Sequence, residues 1–362
     1  MKKLQHYGLL LLLTLAISLP GVAQEEILPI DSLKGKGKMK DGKRDGRWMF
    51  FDERGQLAQR GEFEAGKQTG EWRFFNEYGG MLGVGEYQDG VPSGEWKIYH
   101  VNGALKSVSY FQNGLRDSTY TEYHYNGKRS VEGTYEAGLE TDVWASYFES
   151  GKVYSAGKYL NGLKDGLWRY YNENGVLVAE GDFKLGLEDG QWFRYHDTGQ
   201  LAAVGSYAMG EEDGPWGIFY PTGQLVQDEF YEMGLLRRVG AFHTIRGDTL
   251  SPGTLKNGFG QRLTYHPTGR LESKVAYENG VPNGTAVYYF RDGDKSAEGK
   301  LENGKPTGAW VYYFDNGRVE SAGTFAAGEK TGKWKYYSRS GRLLDEVDHS
   351  QSDATADKTT VE

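Results

Sequence analysis

The chain repeats itself every 24 residues. Trp48, Trp72, Trp96, Trp144, Trp168, Trp192, Trp216, Trp310 and Trp334 are all nine of its tryptophans. Setting position 0 two residues before each Trp puts origins at 46, 70, 94, 118, 142, 166, 190, 214, 238, 260, 284, 308 and 332; one step, from 238 to 260, is 22 residues. A fixed period of this length means that one supersecondary unit is written many times. Each unit buries its apolar face only against its neighbours.

The other landmarks give the unit its form. Position 5 carries an aromatic in twelve of the thirteen units, from Phe51 to Tyr337, with His243 the exception. Position 9 is Gly throughout, from Gly55 to Gly341. Position 17 is apolar, as in Phe63, Tyr87 and Phe325, and position 20 is Gly from Gly66 to Gly328. Two apolar runs bounded by Gly fit into 24 residues, and Asn-Gly or Asp-Gly pairs supply the positive φ that tight hairpin turns need. The reading is all-β: an elongated single-layer antiparallel β-meander or solenoid of about thirteen β-hairpin repeats, with strands of roughly five or six residues. Stacked at about 4.8 Å per strand, 26 strands reach on the order of 125 Å. Positions 2 and 5 differ in parity, so either both faces are partly covered or the strand bulges.

Residues 1–23 read as a secretory signal peptide: Lys2 and Lys3, an apolar run from Gly8 to Leu19, then a small-residue site ending at Ala23. The expected mature protein is exported, periplasmic or secreted, and soluble. Residues 24–33 read as a short linker, 34–345 as the repeat array with a degenerate repeat at 235–258, and 346–362 as an acidic disordered tail. Cysteine is absent, which removes disulfides and thiolate metal sites. The formal charge is −8, and the stretch from Asp345 to Glu362 contributes −5 of it, so no nucleic-acid partner is expected.

The stretch GVPSGEWKIYHVNGAL, Gly90 to Leu105, resembles the MORN repeat in its bacterial variant form. The resemblance covers residues 34–345. It implies a single-layer β-sheet that serves as a scaffold for protein partners, sometimes for membrane lipids. Some bacterial relatives are labelled as antitoxins of toxin–antitoxin pairs.

No catalytic grammar stands out, and no cofactor or metal site is expected. His100, His124, His196 and His266 share position 6; equal positions lie about 9.6 Å apart, too far for two to share a zinc ion. Two places break the pattern. Residues 34–47 hold seven basic residues against two Asp, among them Lys34, Lys36, Lys38 and Lys40. They read as an anion-binding patch for acidic glycans or an anionic membrane surface, or as Lys guarding an open sheet edge. In the degenerate repeat, Gly240 stands where Trp is due, and Arg237, Arg238 and Arg246 gather nearby. They read as a partner-docking site or as drift. The tryptophans read as a structural ladder packing on the aromatics of positions 5 and 17, or as a stacking platform for carbohydrate. The expected function is that of a non-enzymatic exported scaffold for protein–protein interaction. The rivals are a carbohydrate- or membrane-surface-binding module and an antitoxin-like binding protein.

Overall fold

A computed structural model describes residues 29–350. The signal peptide, the first half of the linker and the tail beyond 350 lie outside the described residues. The fold is all-β, and every strand pairing is antiparallel. The chain divides into two units, one ending at Leu163 and one starting at Lys164.

In the first unit, hairpins follow one another from Lys34–Lys40 to Val153–Leu160. A nine-residue strand such as Lys43–Phe51 turns at position 9 into an eight-residue strand, Leu57–Glu64, which turns into the next nine-residue strand, Lys67–Phe75. The strands are longer than expected because bulges, not turns, absorb residues at positions 0 and 1 and near position 12. The second unit runs likewise from the strand Leu163–Tyr171, whose first residue closes the first unit, to Leu235–Val239. The meander then breaks. A two-stranded ribbon, Phe242–His243 with Thr249–Leu250, intervenes, and an eight-stranded sheet follows from Gly260–Tyr265 to Leu343–Asp348. The 22-residue step from 238 to 260 spans this break. The last strand also runs three residues into the stretch expected as a disordered tail, and Ile30 and Leu33, expected as linker, pack on the first core cluster.

The turns form for the expected reason. At positions 19 and 20 two consecutive residues are left-handed, as at Asp89 (φ 53°) and Gly90 (φ 88°), the signature of a type I′ hairpin turn. At the other end, Asp52 Oδ1 accepts from the backbone N–H of Arg54 and of Gln56 at 2.9 and 2.8 Å. Such an Asx turn needs a short polar side chain at its first position.

The core depends on a contact between Trp and a strand glycine. The register slips from Asp182↔Asp189 to Gly181↔Trp192, so positions 0 and 1 bulge, with Gly190 at φ 71°. The bulge lays the indole flat across the preceding strand, over the Gly eleven residues earlier. A Cβ at Gly37, Gly61, Gly85, Gly133, Gly181, Gly205, Gly299 or Gly323 would overlap the indole of Trp48, Trp72, Trp96, Trp144, Trp192, Trp216, Trp310 or Trp334 respectively. Each of these indoles donates its N–H, at 3.0–3.3 Å, to the carbonyl of the residue just after that Gly.

Around each indole sit the residues of positions 4 and 17. Trp72 stacks with Phe50 at 6.0 Å and takes Phe63 and Tyr87 edge-on at 5.3 and 5.8 Å. Position 5 is not a partner: its aromatics lie on the opposite face, where Tyr195 donates to Glu180 at 2.9 Å and Tyr147 and Tyr313 donate to Glu132 and Glu298. The parity puzzle thus has both answers, a bulge and two covered faces. Position −2 closes the core from outside. Arg44 lies over Trp48, Phe50 and Phe63, and Lys330 over Trp334. Their stems shield the rings while the cations stay in reach of water.

Gly205→Ala is expected to destabilise the protein by about 1–3 kcal/mol, the cost of forcing an extra methyl into a packed core. Gly205→Ser with Trp216→Tyr, the combination that occurs at Ser109 and Tyr120, should recover most of that loss. Urea unfolding followed by circular dichroism measures both.

Candidate interaction surfaces

Three features are candidates: the tryptophan ladder, the interrupted repeat and the basic first strand. The ladder is not a platform. Trp48, Trp72, Trp96, Trp144, Trp168, Trp192, Trp216, Trp310 and Trp334 are all buried, the most open at 8%. Eight of them have their only polar hydrogen bonded to backbone, so no ring face, and in those eight no N–H, is offered to a ligand.

The interrupted repeat is a built junction. Glu229 stands where the strand Gly is due, and Gly240 stands where its Trp would lie. The gap is filled by Leu236, Val239 and Leu255, and by Arg262, which reaches back 33 residues to form an ion pair with buried Glu229. Tyr231 donates to the other oxygen of Glu229 at 2.6 Å. Burial, then the Glu229 charge, push the Tyr231 phenol up. Burial alone would lower the Arg262 guanidinium, but Glu229 holds it above its ordinary value. Glycines lock the junction: a Cβ at Gly258 would meet the Gly280 backbone at 2.6 Å, and one at Gly280 would meet Leu236 at 3.0 Å.

The arginines singled out from sequence do not form one site. Arg237 pairs with Glu232 at 2.8 Å, and Arg238 lies 3.8 Å from Asp228. Arg246 sits exposed in the turn of the ribbon, without an ion-pair partner among the described residues. Sequence reasoning missed Glu229 and Arg262. The signal available was the simultaneous loss of Gly and Trp from their paired positions.

Lys34, Lys36, Lys38 and Lys40 line the strand Lys34–Lys40, which is exposed throughout. Gly35 and Gly37 between them face Phe50 and Trp48, which turns the lysines to the outer face. There Lys36 neighbours Met49, Met49 neighbours Arg60, and Arg60 directly faces Arg73. Arg47, Met49, Arg60, Glu62, Glu71 and Arg73 line a shallow concavity of about 600 Å³. Arg47–Glu62 at 3.1 Å and Arg73–Glu71 at 2.6 Å cancel part of its charge. A second concavity, of about 250 Å³, is lined by Thr121, Thr134, exposed Val143 and Ala145, with Glu132 its one charged lining residue, paired with Arg129 at 2.8 Å.

Three of the four position-6 histidines are interrepeat staples; His266 is not, its Nδ1 lying 3.8 Å from Glu272. The Nε2 atoms of His100, His124 and His196 lie 3.0, 2.8 and 2.9 Å from carbonyls of the next repeat, those of Tyr123, Tyr147 and Phe219. Among the described residues no three His, Asp or Glu side chains converge as a metal-ligand set.

The family model described as the MORN repeat variant matches residues 44–65, 164–185 and 188–208, three of the 24-residue units. No curated protein matches the sequence. Among solved structures the chain is similar to the Photorhabdus luminescens Tc holotoxin pore, at 14% identity and a TM-score of 0.14, over 86% of this chain and 18% of that one. It is also similar to a TcdB2–TccC3–Cdc42 structure, at 10% identity and a TM-score of 0.14, over 82% and 20%. The chain spans about a fifth of the length of these structures, and at such scores the superpositions define no common fold.

Arg262→Met or Glu229→Gln alone should cost about 3–5 kcal/mol, because each leaves a buried polar partner uncompensated. Glu229→Leu together with Arg262→Met should cost much less than either. Hydrogen exchange in Leu225–Glu232 and Gly260–Tyr265, with urea unfolding, measures the difference.

Proposed function

We propose that this protein is a non-enzymatic, exported scaffold that binds a protein partner on the outer face of its sheet. The observation that carries the reading is the burial of the whole tryptophan ladder. With the repeated aromatics spent on architecture, the surface left for recognition is the face of positions 1, 3, 5, 14 and 16. That face varies from repeat to repeat, from the Arg–Glu concavity near Arg60 to the one near Val143, where Glu132 is the one charged lining residue. A periodic scaffold with a variable face suits a partner that contacts several repeats at once. The amino-terminal sequence, with Lys2, Lys3 and the apolar run to Leu19, supports export.

Two measurements test this. Acrylamide should quench the tryptophan fluorescence several times more weakly than that of free tryptophan; strong quenching of most indoles would restore the carbohydrate platform. In capture from an envelope extract, a protein retained by the wild-type chain should be lost from Thr121→Arg/Val143→Arg, whose melting temperature is expected to be unchanged. Retention of polysaccharide or lipid alone, equally by both, overturns the scaffold.

A further inference from the structure

The first and last strands of the described residues carry opposite charge. Lys34–Lys40 pairs on one side with Lys43–Phe51, and Leu343–Asp348 on one side with Glu329–Tyr337. Among the described residues neither has a neighbour on its other side, so each presents a row of open backbone donors and acceptors. Lys34, Lys36, Lys38 and Lys40 have no carboxylate partner among the described residues. On the last strand Glu346 meets Lys333 at 3.0 Å, while Asp345 and Asp348 meet no cation within ion-pair distance among the described residues. Leu344, on the same strand, is 58% exposed. An open edge with exposed apolar groups is a site for strand addition.

Charge on an edge strand discourages pairing with a like edge. Two edges of one sign would discourage every combination. Edges of opposite sign repel first against first and last against last, and attract first against last. Asp353, Asp357 and Glu362 add further negative charge in the sequence just after the last strand, against one Lys358.

We propose that copies of this chain associate head to tail, the last strand of one copy adding to the first strand of the next. Both strands occupy the same slot of the repeat, the second strand of the hairpin. A pairing that keeps the sheet faces continuous therefore runs parallel. It sets Lys36 beside Glu346 and Lys38 beside Asp348, at positions 14 and 16 of their repeats. The charged pairs lie at the rim of a backbone-mediated contact, so they govern selectivity and salt dependence.

Sedimentation velocity of the purified chain over a concentration series tests the proposal. The weight-average mass should rise with concentration at low salt and fall back at about 1 M salt, where the Debye length is about 3 Å. The variants Lys34→Glu/Lys36→Glu/Lys38→Glu and Glu346→Lys/Asp348→Lys should each associate about tenfold or more weakly than wild type. An equimolar mixture of the two variants should associate again, because each then offers the edge the other lacks. All the substituted residues are exposed, and circular dichroism checks that the variants fold. If either is misfolded, the corresponding Gln (Lys→Gln) or Asn and Gln (Asp→Asn, Glu→Gln) variants replace it, and these should weaken association in the same direction. A chain that stays monomeric across the series overturns the proposal. So does association that both variants retain, or a mixture that does not recover it.

Discussion

The structure depends on an indole lying flat on a glycine eleven residues earlier. Each of the nine tryptophans has that glycine, from Gly37 before Trp48 to Gly323 before Trp334. Where the glycine is lost, the tryptophan is lost with it: Ser109 precedes Tyr120, Glu229 precedes Gly240, Ser251 precedes Arg262 and Val275 precedes Ala286. The reason is steric. A Cβ on the strand would occupy the space of the ring, and a ring too small to reach across would leave a void. The gain is large for one side chain. An indole hides up to about 250 Å², worth roughly 6 kcal/mol as an upper bound at about 25 cal/mol per Å². A sheet with no second layer has few other ways to obtain such burial, and the cationic stems of Arg44, Lys164 and Lys330 finish the cover.

Much of this fold was legible in the sequence, because its strongest signals are local. Gly at positions 9 and 20 marks turns whose backbone chirality few other residues accept, and a 24-residue spacing cannot be mistaken for a helical period. The glycine at position 15 was not legible in the same way. It sits inside a strand, where a glycine alone means only a weak spot, and its meaning appears only when paired with a residue eleven places on. Parity failed for a related reason. Counting by twos assigns faces correctly until a bulge intervenes, so the partners of each Trp were taken at positions 5 and 17 when positions 4 and 17 supply them. Of the candidate residues, the lysines of the first strand were readable as exposed edge residues, because an edge strand has few neighbours to cover them. Arg237 and Arg238 were not, since Glu232 and Asp228 neutralise them only once the hairpin closes.

The interrupted repeat follows from the same rule applied in reverse. Once Glu229 occupies the glycine slot, an indole cannot lie there, and the space at Gly240 must be filled by other means. Leu236, Val239 and Leu255 supply apolar volume, and Arg262 supplies the counter-charge that a buried carboxylate requires. An aliphatic filling would remove the need for any ion pair, and buried pairs seldom add net stability over such a filling. What the pair does supply is selectivity. It joins the strand Leu225–Glu232 to Gly260–Tyr265 across a stretch in which the repeat register is lost, and only one alignment of those two strands brings Arg262 to Glu229. A plain apolar contact would tolerate a slip.

The rule also gives the array a direction. Each unit lends its glycine to the tryptophan that follows and receives an indole's neighbour from the unit before. The two ends are therefore chemically unlike. At the first strand Gly37 is kept, since Trp48 must lie on it, and the backbone there is thin and flanked by lysines. At the last strand the corresponding position is Val347, with Lys358 rather than Trp eleven residues on. There the edge of Trp334 is met instead by His349, with the ring centroids 6.5 Å apart. A strand freed from holding an indole has no need of glycine, so it can carry β-branched and acidic residues on both faces, as Asp345, Glu346, Val347 and Asp348 do. The opposite charges of the two edges are thus laid over a difference that the tryptophan–glycine contact had already made. That is why the same slot of the same repeat can be basic at one end and acidic at the other without disturbing the core.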